Sequence, residues 1–277
     1  MAAASAPGSA PDSGPGARFT VLVLAGDRGP QDPVSEAAGV AHKCLAPVAG
    51  RAMLERVVAA LTASAFAGRI AVSLNDPAIV AQLPALAPLV DSGRLRPLEA
   101  AATPSRSVLK AVEELGAPFP LLVTTADHAL LTREMVDHFC AASLASGAAV
   151  TAGLTASGLL LARYPQTRRT YLAFRDERYS GSNLFAFMEP AALRLPELWL
   201  RAEQQRKKPW RIAAVFGPRL LIGYLLRRFT LDEAMARISA RLGVRVAAVK
   251  MPMAEAAIDV DKADDLRLVE EILRAQA

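Results

Sequence analysis

The chain has 277 residues, 52% of them hydrophobic and 21% charged, with a formal net charge of +5. The hydrophobic share is ample for a core and excludes global disorder, and the length suits one large α/β domain or two small ones. No apolar run reaches the roughly 18–20 residues needed to span a bilayer, and Cys44 and Cys140 supply neither a metal-ligand spacing nor a disulfide framework, so a reduced, cytoplasmic setting is expected.

Residues 1–17 are mostly Ala, Ser, Gly and Pro and lack the basic-then-apolar order of a secretory signal. They predict a flexible tail ahead of a domain running from 18 to 277. Val21, Leu22, Val23 and Leu24 form a continuous apolar run, the pattern of a strand buried on both faces of a parallel sheet. Ala25-Gly26 opens a loop carrying the cations Arg28 and Lys43, and Met53, Leu54, Val57, Val58 and Leu61 recur on one helical face. Strand, small-residue basic loop and helix together suggest a nucleotide-phosphate site. Gly lets backbone N–H groups approach phosphate oxygens, and Lys or Arg neutralises their charge.

A second strand is expected over 69–74, stopped by Asn75-Asp76-Pro77, followed by a helix-like stretch over 79–90 that Pro84 and Pro88 break. Thr103-Pro104-Ser105 starts a helix that continues to Leu115. Residues 119–125 form the next buried strand, ending at Ala126-Asp127; a helix over 132–146 and a strand over 148–154 follow. This alternation predicts a mainly parallel, doubly wound α/β sheet flanked by helices, with ligands bound beyond the strand C-termini. Further on, strands are expected at 170–174 and 183–187 around a turn at 177–181, with Arg163, Arg168, Arg169 and Arg175 nearby. A basic helical insertion covers 190–242, then come a strand over 244–249, a strand end over 257–261 and a closing helix over 266–273.

The basicity is local. Residues 194–228 hold nine Lys or Arg against Glu197 and Glu203, which argues against a general nucleic-acid surface. That segment is expected to cover the site, to join two copies in a homodimer, or to rest on a partner enzyme or the anionic surface of a membrane. Asp127, just past a buried strand, suits either Mg²⁺ coordination or the N-cap of the next helix. Asp259 and Asp261 alternate onto one face and could share one cation, while Asp264 and Asp265 complement a helix dipole. The four arginines suit either an anionic acceptor pocket or a solvated hairpin edge. No H-E-x-x-H, C-x-x-C, P-loop or G-x-S-x-G pattern is present, which removes zincin, zinc-ribbon, P-loop kinase and α/β-hydrolase readings.

The series Leu24-Ala25-Gly26, Arg28, Lys43-Cys44-Leu45-Ala46-Pro47, Gly50 and Met53-Leu54 resembles the signature of MobA-like nucleotidyltransferases, with Asp27 where members often have a second Gly. The resemblance implies a GT-A-like fold and an enzyme that couples a nucleoside triphosphate to a phosphorylated acceptor, releasing pyrophosphate. It implies nucleotide contacts from Leu24, Ala25, Gly26, Asp27, Arg28, Lys43, Ser105, Ser107 and Ala126, with Lys43 and Arg28 catalytic. It places Mg²⁺ on Asp127 together with Asp259 or Asp261, since the stretch IDVDKADDL resembles the family's I-D-V-D-T-P-E-D-L. Acceptor contacts then fall to Arg163, Arg168, Arg169 and Arg175. Ser105, Arg106 and Ser107-Val108 are also similar to a base-binding stretch of cytidylyltransferases acting on methylerythritol phosphate, which puts CTP slightly ahead of GTP. Two alternatives stand beside this: a GT-A glycosyltransferase using Asp259-Val260-Asp261 as its D-x-D, and a degenerate NTP-binding regulatory module.

Overall fold

The computed structural model describes residues 18–27, 31–204 and 218–276. The expected tail over 1–17, Arg28 and the centre of the basic segment lie outside the described residues.

The fold is built around β1 (Phe19–Leu24), which lies between the parallel strands β4 (Ala67–Leu74) and β6 (Leu121–Thr125). Strand alternation sends Val21 and Val23 to one face and Leu22 to the other. The first face packs on Leu54, Val57, Val58 and Leu61 of α2 (Met53–Ala63) and on Met135, Val136 and Phe139 of α5 (Arg133–Ser146). The second packs on Val108, Ala111 and Val112 of α4 (Pro104–Glu114). A strand covered on both sides must be apolar throughout, which explains the unbroken run of Val and Leu. β5 (Leu95–Glu99) pairs in parallel outside β4.

On the other side of β6 the direction changes. β9 (Arg178–Phe187) runs antiparallel between β6 and β7 (Val150–Ala156), and β10 (Val246–Lys250) extends the sheet in parallel outside β7. Among the described residues the path is therefore β10-β7-β9-β6-β1-β4-β5, with the short β8 (Leu172–Ala173) attached to β9. The chain leaves β1 for β4 and returns to β6 on the opposite side, so the crevice beyond these C-terminal ends is a topological switch point. The mainly parallel, doubly wound sheet is as expected, with one antiparallel strand inside it.

Several local expectations are corrected. The loop after β1 contains α1 (Pro33–Ala38), capped by Asp32, whose side chain accepts from the Val34 and Ser35 N–H groups, and closed by Gly39 at φ 65°. A two-residue hairpin, β2 (Pro47–Val48) and β3 (Arg51–Ala52), follows it. β5 escaped sequence reading because Arg94, Arg96 and Pro97 hide its apolar Leu95 and Leu98; Pro is tolerated on such an edge strand. The 79–90 stretch is broken as expected, into 3₁₀ turns and α3 (Ala87–Asp91). The turn placed at 177–181 lies earlier: the Phe174 N–H donates to the Glu177 carbonyl, and residues 178–181 already belong to β9. Polar Arg178 and Ser180 and the side-chain-free Gly181 disguised that strand. α6 (Ser157–Arg163) was not anticipated. Residues 257–261 join no sheet; a 3₁₀ turn over Ala254–Ala257 leads into an extended segment before α10 (Ala263–Gln276).

The basic insertion contains α7 (Arg194–Gln204), α8 (Pro218–Leu225) and α9 (Leu231–Leu242), the last opened by a reciprocal capping box between Thr230 and Glu233. Leu198 of α7 and Leu242 of α9 join the same apolar cluster as α4, so these two helices pack on the sheet rather than standing apart. No helix among the described residues is long and apolar enough to cross a membrane.

Both cysteines are buried and reduced. Burial pushes each thiol up to about 12, with Asp27 adding to the effect at Cys44 and Asp137 at Cys140. Neither should be alkylated by iodoacetamide at neutral pH in the native protein, whereas both should be in denaturant; intact mass after timed labelling checks this.

Candidate active site

The strand ends build a cleft of about 1020 Å³. Leu24 and Gly26 line it after β1, Ser73 and Asn75 at the end of β4, and residues 100–103 after β5. Two backbone bonds set the floor: the Ala25 N–H donates to the Ser73 carbonyl (2.8 Å) and the Ala100 N–H to the Leu74 carbonyl (2.7 Å). Space at Gly26 is tight: a Cβ there would stand 3.2 Å from Asn75 Oδ1, so that amide would have to give by a few tenths of an ångström. Ser107 Oγ accepts from the Ala101 N–H (2.9 Å) and so shapes the far wall. The N-terminus of α4 opens there, with Thr103 as its cap, Arg106 in its first turn and the helix dipole turned towards negative charge.

Asp27, which stands where the family pattern often has Gly, acts as a staple. Asn75 Nδ2 donates to its carbonyl (2.9 Å) and to its Oδ1 (3.0 Å), while its Oδ2 accepts the Lys43 N–H (2.8 Å) and lies 3.4 Å from His42 Nδ1. The loop is thereby tied down at the residue that carries the site's central cation.

The Lys43 ammonium donates to Asp127 Oδ2 at 2.6 Å and to Asp261 Oδ1 at 3.2 Å. Burial alone would push its pKa down, but Asp127 and then Asp261 outweigh burial and hold it above the ordinary lysine value. Asp127 is positioned by the Thr125 hydroxyl on its Oδ1 and by its own carbonyl, which accepts the Val260 N–H at 3.0 Å. That last bond brings residues 258–262 against the end of β6.

Asp259 and Asp261 do not act as a matched pair. Both carboxylate oxygens of Asp259 are taken, Oδ1 by Arg169 Nη1 (2.5 Å) and Oδ2 by Asn183 Nδ2 (2.8 Å). Burial, followed by the neighbouring Asp261 charge, raises the Asp259 pKa, and Arg169 opposes the rise. Arg169, only 6% exposed, also reaches the Asp259 carbonyl (2.8 Å) and Asp265 Oδ1 (3.1 Å). Asp265 Oδ2 in turn accepts the Asp261 and Lys262 N–H groups (3.1 and 3.2 Å), half of a capping box at the start of α10. Asp261, by contrast, keeps 66% of its side chain exposed at the cleft.

Of the expected nucleotide contacts, Leu24, Gly26, Asp27, Lys43 and Ser107 line the cleft, whereas Ala25, Ser105 and Ala126 are buried behind it. The four arginines do not converge. Arg163 pairs with Glu255 (2.9 Å), Arg169 with Asp259 and Asp265, and Arg175 with Glu233 (3.3 Å), while Arg168 is exposed. His128 is fully enclosed and its pKa falls to about 4, first through burial, so it stays neutral and structural. Asn75, Asp265 and Asn183 were missed as site residues: Asn75 read as a strand stop, Asp265 as a dipole charge, and Asn183 as strand filler. The N-D-P spacing directly beyond a buried strand was the available signal for Asn75.

Among the described residues no group of three His, Cys, Asp or Glu side chains forms a ready-made metal cage. Asp127 and Asp261 nevertheless bring hard oxygen donors from two segments onto one cation, the Lys43 ammonium. Two carboxylates completed by water and phosphate oxygens are a donor set that fits Mg²⁺, which rarely occupies an all-protein cage.

A doubly wound sheet with a cation-bearing cleft at its switch point is an α/β architecture that binds ligands beyond its strand ends. The MobA-like NTP transferase domain profile matches residues 21–242, and the chain belongs to that family. The protein is accordingly a nucleotidyltransferase. A hypothetical transferase from Thermus thermophilus is similar in structure, at TM-score 0.73 and 29% identity, with 90% of this chain and 99% of that one covered. The fold is also similar to that of 4-diphosphocytidyl-2C-methyl-D-erythritol synthase from Anaerococcus prevotii (TM-score 0.55, 12% identity, 93% and 96% covered). CMP:2-keto-3-deoxy-manno-octonic acid synthetase complexed with CTP is similar as well (0.56, 11%, 94% and 100%). At these identities the last two speak to the fold alone. No curated protein sequence matches the chain.

Proposed function

We propose that the protein transfers a nucleoside monophosphate from a triphosphate, CTP ahead of GTP, to the phosphate of a small-molecule or lipid-headgroup acceptor, with Mg²⁺ and release of pyrophosphate. The observation that carries this reading is the convergence of Asp127 and Asp261 on Lys43 at the mouth of the cleft. Asp127 and Asp261 would hold the divalent cation, and Asp259, with both oxygens committed to Arg169 and Asn183, would not. When bound, the cation supplies neutralisation of triphosphate charge. Lys43 binds phosphate oxygens and stabilises the charge that grows as an acceptor oxygen attacks the α-phosphorus. A phosphate is already a nucleophile, so the chain supplies orientation rather than a base. The Gly26 loop admits the triphosphate, residues 100–103 and Ser107 wall the base, and Arg168 is the exposed arginine left for the acceptor. The preference for CTP leans on the similarity of Ser105, Arg106 and Ser107-Val108 to a base-binding stretch of cytidylyltransferases.

A glycosyltransferase would use Asp259 and Asp261 together on one ion, and their separate partners speak against that use. The test is thermal stabilisation by CTP, GTP, ATP and UTP with and without Mg²⁺, then a screen of phosphorylated acceptors by pyrophosphate release. A triphosphate at a hundredfold excess over its Kd should stabilise the protein by about 2.7 kcal/mol. Stabilisation by sugar nucleotides alone, or by none of these ligands, would overturn the proposal.

A further inference from the structure

The end of α8 leaves a corner that neither the cleft nor the core uses. One side of this helix is fixed inward. Tyr224 Oη accepts the Ala173 N–H (3.3 Å), and its ring meets Phe174 edge-on with centroids 5.7 Å apart. Gly223 lies so close to the Phe229 ring that no side chain fits between them. The other side faces solvent: Ile222 is 55%, Leu225 68% and Leu226 57% exposed. The chain then stops sharply. The Leu226, Arg227 and Arg228 N–H groups donate to the carbonyls of Ile222, Tyr224 and Gly223 (2.9, 2.9 and 2.8 Å), with Arg227 in the left-handed region at φ 50°. This closure holds two exposed leucines directly beside two exposed arginines. Residues 218–228 contain no Asp or Glu, and the nearby Glu233 is already engaged by Arg175 and the Thr230 cap.

We propose that this corner docks on an anionic lipid surface, the three apolar side chains entering the interface and Arg227 and Arg228 lying at headgroup level. An apolar wedge flanked by unopposed cations is the chemistry that such a surface recognises. A protein partner fits less well. Three side chains fall far short of the roughly 800 Å² that a standard interface takes from each partner. In a two-fold pairing of the corner with a second copy, each pair of arginines would also face its own duplicate.

The test is co-sedimentation of the full-length chain with phosphatidylcholine vesicles, with and without phosphatidylglycerol. Binding should appear with phosphatidylglycerol only and weaken as salt rises. Arg227→Gln with Arg228→Gln should weaken it about twenty-five-fold, each arginine near an anionic surface being worth about a factor of five. Leu225→Glu with Leu226→Glu should abolish it at an unchanged thermal midpoint, since both side chains are exposed. Equal binding to both vesicle types, no binding to either, or indifference to both double variants would overturn the proposal. So would a concentration-dependent dimer in light scattering that the leucine variant dissolves, which would make the corner a contact between copies.

Discussion

Replacement of Lys43 by methionine is expected to change two quantities in opposite directions. Nucleotidyl transfer should fall by about 10²–10³-fold, the usual loss when one group that stabilises developing oxyanion charge is removed. Mn²⁺, used as a probe without nucleotide, should bind about tenfold more tightly than to the unchanged protein. The reason is competition. The ammonium lies 2.6 Å from Asp127 and 3.2 Å from Asp261, so in the free protein it satisfies the two carboxylates that a divalent cation would need. Methionine keeps the length of the side chain and gives the oxygens back. Lys43→Arg should leave Mn²⁺ binding weak, because the positive charge remains. Titration calorimetry of the three proteins decides the matter, and unchanged or weaker Mn²⁺ binding in the methionine variant would show that Lys43 and the cation do not share these oxygens.

The largest effect on stability is expected from Arg169→Met. That guanidinium, 6% exposed, neutralises Asp259 and Asp265, whose side chains are 24% and 7% exposed. Removing one partner from a buried ion cluster strands the others, at a cost of about 3–5 kcal/mol. In a protein of this size that corresponds to a fall of roughly 6–20 °C in Tm. Adding Asp259→Asn should recover part of the loss, since one stranded charge is then gone while the contact to Asn183 can be re-formed. Differential scanning fluorimetry of the single and double variants reads this directly, and additive rather than compensating losses would refute the account.

The sequence was most informative where a single physical requirement governs a residue. A strand covered on both faces can only be apolar, so β1, β4 and β6 were readable, and helices with one apolar face were readable beside them. Lys43 and Asp127 stood out because each sits just beyond such a strand or its loop. Residues with a choice of partners were harder. Asp259 and Asp261 share a face in an extended chain, yet one meets Arg169 and the other Lys43, an outcome decided by loops far away in sequence. Arg163, Arg169 and Arg175 looked like one cluster along the chain, but the fold gives each its own carboxylate. β5 was obscured because an edge strand accepts polar residues, and the start of β9 because Ser180 and Ser182 are buried although polar, which removes the alternation on which strand recognition depends.

The contact between Lys43 and Asp261 joins positions 218 residues apart. A chain leaves the ribosome from its beginning and its folded units form in that order. Apart from Leu200 and Asp261, the residues that line the cleft all precede Leu109 and can therefore pack on a nascent chain long before Asp261 has been made. On the proposed function, such a chain can present a pocket for the triphosphate but lacks the second carboxylate, and α10, whose Asp265 accepts the Asp261 N–H, arrives later still. On the function proposed above, a copy still lacking Asp261 and α10 holds nucleotide without transferring it, so catalytic competence arrives as a late event of synthesis rather than growing with the fold.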